Sequence, residues 1–514
     1  MQRPRSEKPK HFRKPAPQIP ITPARHAVVE ALLRQVERFP DLDPAPLRDG
    51  SLPARDAAFA HAIYDAAIRQ WLTLSHVLSR RLHQPFEEQK PGVQAVLLAA
   101  SAQILLLDKV PPHAAINEAV NWAKLRLSGS LAGMINGVLR NIVRLVLTDR
   151  AQGDELAQPV RRAAWSGARA ELPLPDGRAL VFKLDIMPEE EWEHLSVTTS
   201  CPPGLLAHWR KEQGDEAARR LATHLLAEPP TILNVAHTSE ATLAALSAGT
   251  PPLSVPHAQP GARVWHGPRQ ELAPMLGAHR DVWVQDPSSI ATVAALHPFR
   301  DEVADGVIVD MCAGHGTKTR QLAATFPNAT IIATDVDPDR LASLRGIHLA
   351  NVKVVAPEAL AEAASEAALV LADVPCSNSG VLARRPEAKY RWSEAQSLRL
   401  QGIQREILAQ AASLVRPGGL LVYATCSMDK GENEDQAGWA VAELGLRVEA
   451  EVTQSPAGDP GGKASEYHDA SYSVHLRSVK GPGDSRRGTG TTQAGTLKAR
   501  RAKTAKKQSP GSRA

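Results

Sequence analysis

What this 514-residue chain lacks narrows its class before any motif is read. Cysteine is scarce: Cys201, Cys312, Cys376 and Cys426 are the four it has, far apart and never in CxxC spacing. That excludes a zinc ribbon and a disulfide framework, and it fits a reducing compartment. No apolar run approaches the roughly 18 residues needed to cross a bilayer. The basic, Pro-rich N-terminus has no apolar stretch behind it, so no secretory signal is expected. A strict G-x-G-x-x-G is also missing. The expectation is a soluble, cytoplasmic monomer with no membrane span and no metal site, long enough for about three domains at roughly 150 residues each.

The net charge of +5 is unevenly spread. Residues 1–14 hold six Lys/Arg and one acid, residues 481–514 hold nine and one, and the span between carries a balance of −8. The tails, 1–21 and 481–514, have little apolar content and are expected to be disordered. Such tails add sequence-independent attraction to phosphates, or serve only as solubilising extensions.

Within 22–150, apolar residues recur at three- and four-residue spacing in ARHAVVEALLRQV, ARDAAFAHAIYDAAIRQWLTLSHVL, VQAVLLAASAQILLL, HAAINEAVNWAKL and LAGMINGVLRNIVRLVL, which predicts an all-α domain punctuated by prolines. It offers no evident nucleophile, metal cluster or phosphate loop. Residues 151–195 read as an insertion or linker with a strand-like piece at 179–184. Residues 196–280 read as a small α+β region, a helix pair leading into a strand at TILNV. From 281 to 480, short apolar strands alternate with helices (VWVQD, GVIVD, ATIIATD, NVKVV, AALVLAD, GGLLVYATCS), and a helix is expected through Leu408–Val415. The pattern predicts an α/β fold with a doubly wound, Rossmann-like, mostly parallel sheet, which binds ligands beyond its strand C-termini.

The first turn of that region reads Asp310-Met-Cys-Ala-Gly-His-Gly-Thr-Lys-Thr319. Gly314 and Gly316 let backbone approach a ligand, and the next helix N-terminus offers free N–H groups. A second strand ends at Asp335, where an acid suits the hydroxyls of a nucleoside ribose. This order leaves a nicotinamide dinucleotide and S-adenosylmethionine both open; the bland alternative is a loop-closing turn with Asp335 as a helix N-cap. Cys376 and Cys426, each just after an apolar strand, favour the second cofactor. A thiolate can add to C6 of a cytosine and make C5 nucleophilic, a carboxylic acid can assist at N3, and a base must then remove the C5 proton so that the thiol leaves. Asp373, Cys376 and Cys426 suit those roles; small buried core cysteines are the competing account.

LLAASAQILLLDKVPPHAAINEAVNWAK followed by MINGVLRNIV resembles the NusB-type RNA-binding domain that precedes the catalytic part of the RsmB (Sun/Fmu) ribosomal RNA methyltransferases. DVPCSNSGVLARRPEAKYRW and YATCSMDKGENEDQ resemble the two cysteine motifs of the Sun/Nop-type RNA cytosine-C5 methyltransferases, and YHDASYSVHLRS their closing strand, with Tyr472 at an aromatic position. The resemblance implies that Cys426 is the nucleophile, that Cys376 assists release of the methylated base, and that Asp373 contacts the cytosine and the cofactor. It places S-adenosylmethionine on Cys312, Ala313, Gly314, His315, Gly316, Thr317, Lys318, Asp335 and Asp373, and makes RNA, small-subunit (16S) ribosomal RNA in particular, the partner. The chain departs from the family at Gly314, His315 and Thr317, where Ala, Pro and Gly are usual, at Ala356-Pro357-Glu358, where an adenine-side Asp is usual, and at Leu233-Asn234-Val235-Ala236, where Leu-Arg-Val-Asn is usual. Those departures motivate a second reading, a non-catalytic RNA-binding assembly factor with a decayed cofactor site.

Overall fold

The computed structural model describes residues 21–44, 47–48, 50, 52–150, 158–363 and 367–479, so the expectations for the tails lie outside the described residues, apart from residue 21. Six helices come first: α1 (Pro23–Val36), α2 (Ala54–Arg69), α3 (Trp71–Ser79), α4 (Pro91–Leu106), α5 (Pro112–Arg126) and α6 (Gly129–Leu145). Their apolar stripes enclose one core, in which Leu32, Ile63, Leu74, Leu97 and Ile135 are fully buried. Pro91 and Pro112 stand in the first turns of α4 and α5, where a missing N–H costs nothing, so they start helices as well as separating them. The Glu118 carboxylate accepts from Arg25 at 2.6 Å and from the Thr22 hydroxyl at 2.8 Å, pinning α5 to the start of α1.

The segment from Ala54 to Leu78, continuous in its periodicity, is two helices. Gln70 leaves helical geometry (φ −116°, ψ 35°). The break is satisfied from far along the chain: Tyr390 Oη donates to the Ile68 carbonyl (2.8 Å), Lys389 Nζ to the Arg69 carbonyl (2.6 Å), and the Leu72 amide to Ser200 Oγ (2.9 Å).

A small antiparallel sheet follows, of β1 (Arg161–Arg162), β2 (Glu171–Pro173) and β3 (Ala179–Val181) in the order β1-β3-β2. Its β2–β3 turn lies on the loop at 458–462, with the Gly461 amide donating to Pro175 O at 3.0 Å. A Cβ on Gly177 would sit 2.6 Å from Pro460 O, so the approach requires glycine. Then come α7 (Glu191–Thr199), α8 (Pro203–Gln213), α9 (Asp215–His224), β4 (Ile232–Asn234), α10 (Glu240–Ser247), β5 (Ser254–Pro256), β6 (Ala262–Trp265), α11 (Arg269–Ala278) and β7 (Trp283–Val284). Strands β5-β6-β4-β7 form an antiparallel sheet. Trp283–Val284, read from sequence as the head of the catalytic sheet, therefore belongs to this smaller one.

The main sheet is built from β8 (Val307–Asp310), β9 (Thr330–Ala333), β10 (Val352–Val354), β11 (Ala367–Asp373), β12 (Val415–Thr425), β13 (Leu446–Gln454) and β14 (Ser471–Ser478), with α12 (Pro287–Ala294), α13 (Arg300–Val303), α14 (Thr317–Thr325), α15 (Pro338–Arg345), α16 (Ala388–Arg391), α17 (Glu394–Leu414) and α18 (Glu434–Leu444) before and between them. Its order is β10-β9-β8-β11-β12-β14-β13, parallel as far as β12 and antiparallel beyond it. This is the expected Rossmann-like sheet. The helix expected at 408–415 is the end of the much longer α17, and Val415 already belongs to β12. Strand β11 is buried almost throughout, which is why it reads as an unbroken apolar run. The chain switches direction across the sheet between β8 and β11, so the crevice beyond those two strand ends is where ligands are held.

Candidate active site

Both cysteine motifs open at that crevice. Asp373 ends β11, and Cys376 lies three residues beyond it; Cys426 directly follows β12. The loops bring Cys376 Sγ and Cys426 Sγ to 3.2 Å. Their mutual hydrogen bond, with burial added, pushes the Cys376 thiol well above its usual range, so Cys376 keeps its proton. Cys426 also donates to Asn378 Oδ1 at 3.5 Å, and Asn378 Nδ2 donates to the Cys376 carbonyl at 3.1 Å. One side chain thus touches both cysteines. It does so from a left-handed backbone (φ +62°), which Asn tolerates better than most residues. Gly380 permits the crossing of the two loops: its amide donates to the Cys426 carbonyl at 3.0 Å, and a Cβ there would lie 2.4 Å from Ala470 Cβ.

Lys318, in the first turn of α14, aims its ammonium into this crevice. Nζ donates to Asp373 Oδ2 at 2.8 Å. Burial disfavours its charge, but Asp373, and more weakly Cys426 and Asp310, hold it above the usual lysine value. A fixed cation therefore stands beside the nucleophile candidate and its neighbouring acid. Asp310, at the end of β8, accepts from Thr319 Oγ1 at 2.6 Å; burial pushes its carboxyl up to about 7, and its Oδ1 has no partner among the described residues.

The glycine turn itself is bound to the end of β9. The Ala313 amide donates to Thr334 O, and the Gly314 amide to Asp335 Oδ2 at 2.9 Å. Asp335 Oδ1 accepts from the Asp337 amide at 2.9 Å. The helix N-cap is Asp337, which accepts from the Asp339 and Arg340 amides; Asp335 is not the cap. Gly314 (φ +57°) faces open space, whereas a Cβ on Gly316 (φ +79°) would strike Ile347 Cδ1 at 2.1 Å. His315 is exposed and reaches Ser343 Oγ at 3.3 Å, and Thr317 opens α14, which no side chain caps. Cys312 lies under the turn: burial, with Asp310, Asp373 and Asp335 near it, pushes its thiol up, so it stays protonated. In the departed positions, Glu358 is exposed on a 3-10 turn (Pro357–Ala363), and Asn234 is buried, its amide donating to Gln285 Oε1 at 2.9 Å.

Several groups escaped sequence reasoning. His208 of α8 meets Asp429 at 3.1 Å, and Trp392 Nε1 donates to the same carboxylate at 3.3 Å. Although burial opposes it, Asp429 holds His208 above its usual pKa. Nothing in the sequence placed residue 208 near residue 429. Among the described residues no group of three or more His, Cys, Asp or Glu could hold a metal ion, and no helix is long and apolar enough to cross a membrane.

Comparison with known proteins bears on the family and the fold. Residues 293–468 match the family model "16S rRNA methyltransferase RsmB/F", and residues 22–144 match the NusB family. A Bacillus subtilis (strain 168) protein described as a probable ribosomal RNA small subunit methyltransferase B is 27% identical over 80% of this chain and 87% of its own. The ribosomal RNA small subunit methyltransferase B of Salmonella enteritidis PT4 is 28% identical over 79% of this chain and 86% of its own. The crystal structure of PH0851 superposes with a TM-score of 0.64 at 20% identity, over 89% of this chain and all but 1% of that one, and so shares the fold. Residues 293–468 of this chain are thus similar to the RsmB/F methyltransferases, and the helical residues 22–144 before them to the NusB family.

Proposed function

We propose that the chain is an S-adenosylmethionine-dependent methyltransferase that modifies C5 of a cytosine in small-subunit ribosomal RNA through a covalent Cys426–cytosine adduct. The observation that carries this is the thiol pair at 3.2 Å, set beside a part-buried Lys318–Asp373 ion pair. The cofactor fits the residues present: Gly314 faces open space, α14 has no side-chain cap, Asp335 anchors the turn, and the neighbouring Val336 is 82% exposed. Cys312, Ala313, Gly314, His315, Gly316, Thr317, Asp335 and Asp373 would hold it. When bound, it supplies an electrophilic methyl group on a sulfonium.

The chain's own residues do the rest. Cys426 attacks as the thiolate: its sulfur forms a bond to C6 and drives electrons toward C5. Asp373 supplies a hydrogen-bonding group at the base as charge builds. Once C5 carries the methyl group, solvent water takes the C5 proton, the electron pair left behind restores the C5–C6 double bond, and the C6–sulfur bond breaks. Cys376, which keeps its proton, shares it with the departing Cys426 sulfur. Residues 22–150 are assigned to holding the RNA, whose target base is presented unpaired. A non-catalytic assembly factor would leave the thiol pair and the fixed ammonium without a use.

The deciding experiment is incubation with labelled S-adenosylmethionine and ribosomal RNA or subunits. Wild type should transfer methyl groups, Cys426→Ala should transfer none, and Cys376→Ala should accumulate a protein–RNA adduct that survives denaturation. A wild-type protein that neither binds the cofactor nor methylates any RNA overturns the proposal.

A further inference from the structure

The Glu432-Asn433 pair of the second cysteine motif has no role in the chemistry above, yet both side chains are enclosed. Glu432 and Gln404 are 0% exposed and Asn433 3%. Each makes contacts that converge on the residues flanking the thiols. On the Cys376 side, Gln404 Nε2 donates to the Pro375 carbonyl at 3.1 Å, and the Ser377 amide donates to Glu432 Oε2 at 2.9 Å. On the Cys426 side, Thr425 Oγ1 donates to Asn433 Oδ1 at 2.6 Å, and Asn433 Nδ2 donates to the Ser427 carbonyl at 2.9 Å. Each cysteine is thus gripped through the residue before it and the residue after it.

Glu432 joins the two grips. Its Oε2 accepts from Gln404 at 2.9 Å as well as from the Ser377 amide, and its Oε1 accepts from Ser427 Oγ at 3.2 Å. Its own backbone is fixed in turn, because Tyr423 Oη, on β12, donates to the Glu432 carbonyl at 2.5 Å. The two loops leave different strands, β11 and β12, and the sheet ladder does not reach the thiols. Ser379 also crosses between the loops, accepting from the Met428 amide at 2.8 Å and meeting Ser427 Oγ at 3.1 Å, but the Glu432 carboxylate is what joins Ser377, Gln404 and Ser427 on one buried group.

We infer that Gln404, Glu432 and Asn433 are a positioning set that fixes the distance between the two thiols, with Glu432 as the bridge. This rests on the proposed roles of Cys426 and Cys376, but the spacing itself can be measured without methyl transfer. The chemistry asks for a sulfur that attacks and a second that hands over a proton at hydrogen-bond range. A displacement of about 1 Å in such a pair is enough to cost on the order of 100-fold in rate.

Glu432→Gln is the informative variant. Its amide oxygen can still accept from the Ser377 amide and Gln404, and its NH2 can donate to the Ser427 hydroxyl, so the bridge survives without the charge. Glu432→Ala removes the bridge. The spacing is read on the full-length protein by capture of the dithiol with phenylarsine oxide, which needs two adjacent thiols, with Cys376→Ser and Cys426→Ser as controls that abolish capture. Glu432→Ala should slow capture about tenfold and lower single-turnover methyl transfer about 10- to 100-fold, while KM for RNA stays within about threefold. Glu432→Gln should remain within about threefold of wild type on both measures. Gln404→Ala, which frees one flank of Cys376 and leaves the bridge, serves if Glu432→Ala does not fold, and should slow capture to a lesser, measurable degree. Capture at the wild-type rate in the folded Glu432→Ala or Gln404→Ala protein, or a loss in Glu432→Gln equal to that in Glu432→Ala, overturns the assignment. If wild type transfers no methyl group while capture still follows the variants, the functional proposal fails and the positioning role stands.

Discussion

His475 shows how much a single enclosed residue can shape stability. It is fully buried on β14, meets Phe299 edge-on at 5.4 Å, and neither ring nitrogen has a partner among the described residues. Burial pushes its pKa down from 6.5 to about 4. Because the folded value lies below the unfolded one, the stabilisation is complete above pH 6.5 and is lost as pH falls toward 4. The total is about 3 kcal/mol, at 1.36 kcal/mol for each unit of pKa difference. His475→Leu should flatten the decline of the melting temperature between pH 6.5 and 4; an unchanged slope would assign that decline to other groups. At this scale the thiols, Asp373 and the glycines were legible in the sequence, because each is marked by its place at the end of an apolar run. Gln404 and His208 were not, since nothing near them in the chain says that they meet residues 375 and 429.

The turn between β8 and α14 carries its constraints in its backbone. Gly316 combines φ +79° with a site where a Cβ would overlap Ile347 and Leu344 of the α15 side. Gly316→Ala must therefore strain the turn or push α15 away, at a cost of roughly 1–3 kcal/mol. It should raise the dissociation constant for S-adenosylmethionine at least about tenfold, measurable by calorimetry; equal affinity would mean that the turn tolerates the shift. Gly314, over open space, marks the opposite face of the same turn, the one a ligand can reach. Strand β13 eluded the sequence reading. It is an edge strand, and Arg447, Glu449 and Glu451 interrupt the apolar signal that revealed its neighbours. The break at Gln70 was equally hidden, because the groups that satisfy it come from residues 200, 389 and 390. Periodicity reports a helix's own faces and is silent about carbonyls taken by a distant side chain.

Across the whole molecule, the regions are joined by cations seated on carbonyl groups. Arg69 Nη1, at the end of α2, donates to the carbonyls of Leu225 (3.1 Å), Ala227 (3.1 Å) and Ala383 (2.7 Å). Arg391 Nη1 donates to Leu42 O at 3.0 Å. Arg69→Met leaves three carbonyls without that donor and should weaken the junction by roughly 3 kcal/mol or more. The expected readout is scanning calorimetry in which the helical region melts apart from the methyltransferase region, at a lower temperature than in wild type; a profile identical to wild type would show that Arg69 does not hold the regions together. No sequence pattern foretold this junction, because nothing near Arg69 or Arg391 in the chain says which distant carbonyls they reach.

The grip of Lys389 and Tyr390 on the last carbonyls of α2 has one more consequence. These side chains lie on the segment that leaves the Cys376 loop, so the helical region and the thiols share a strut rather than a tether. A tether would let the two halves search independently, and any RNA that touched one would raise the local concentration at the other. A strut makes the protein a gauge: on the proposed function, an RNA is modified when the gap between its docking site and its exposed cytosine matches the fixed span of the molecule, and length, before sequence, becomes the first test a substrate must pass.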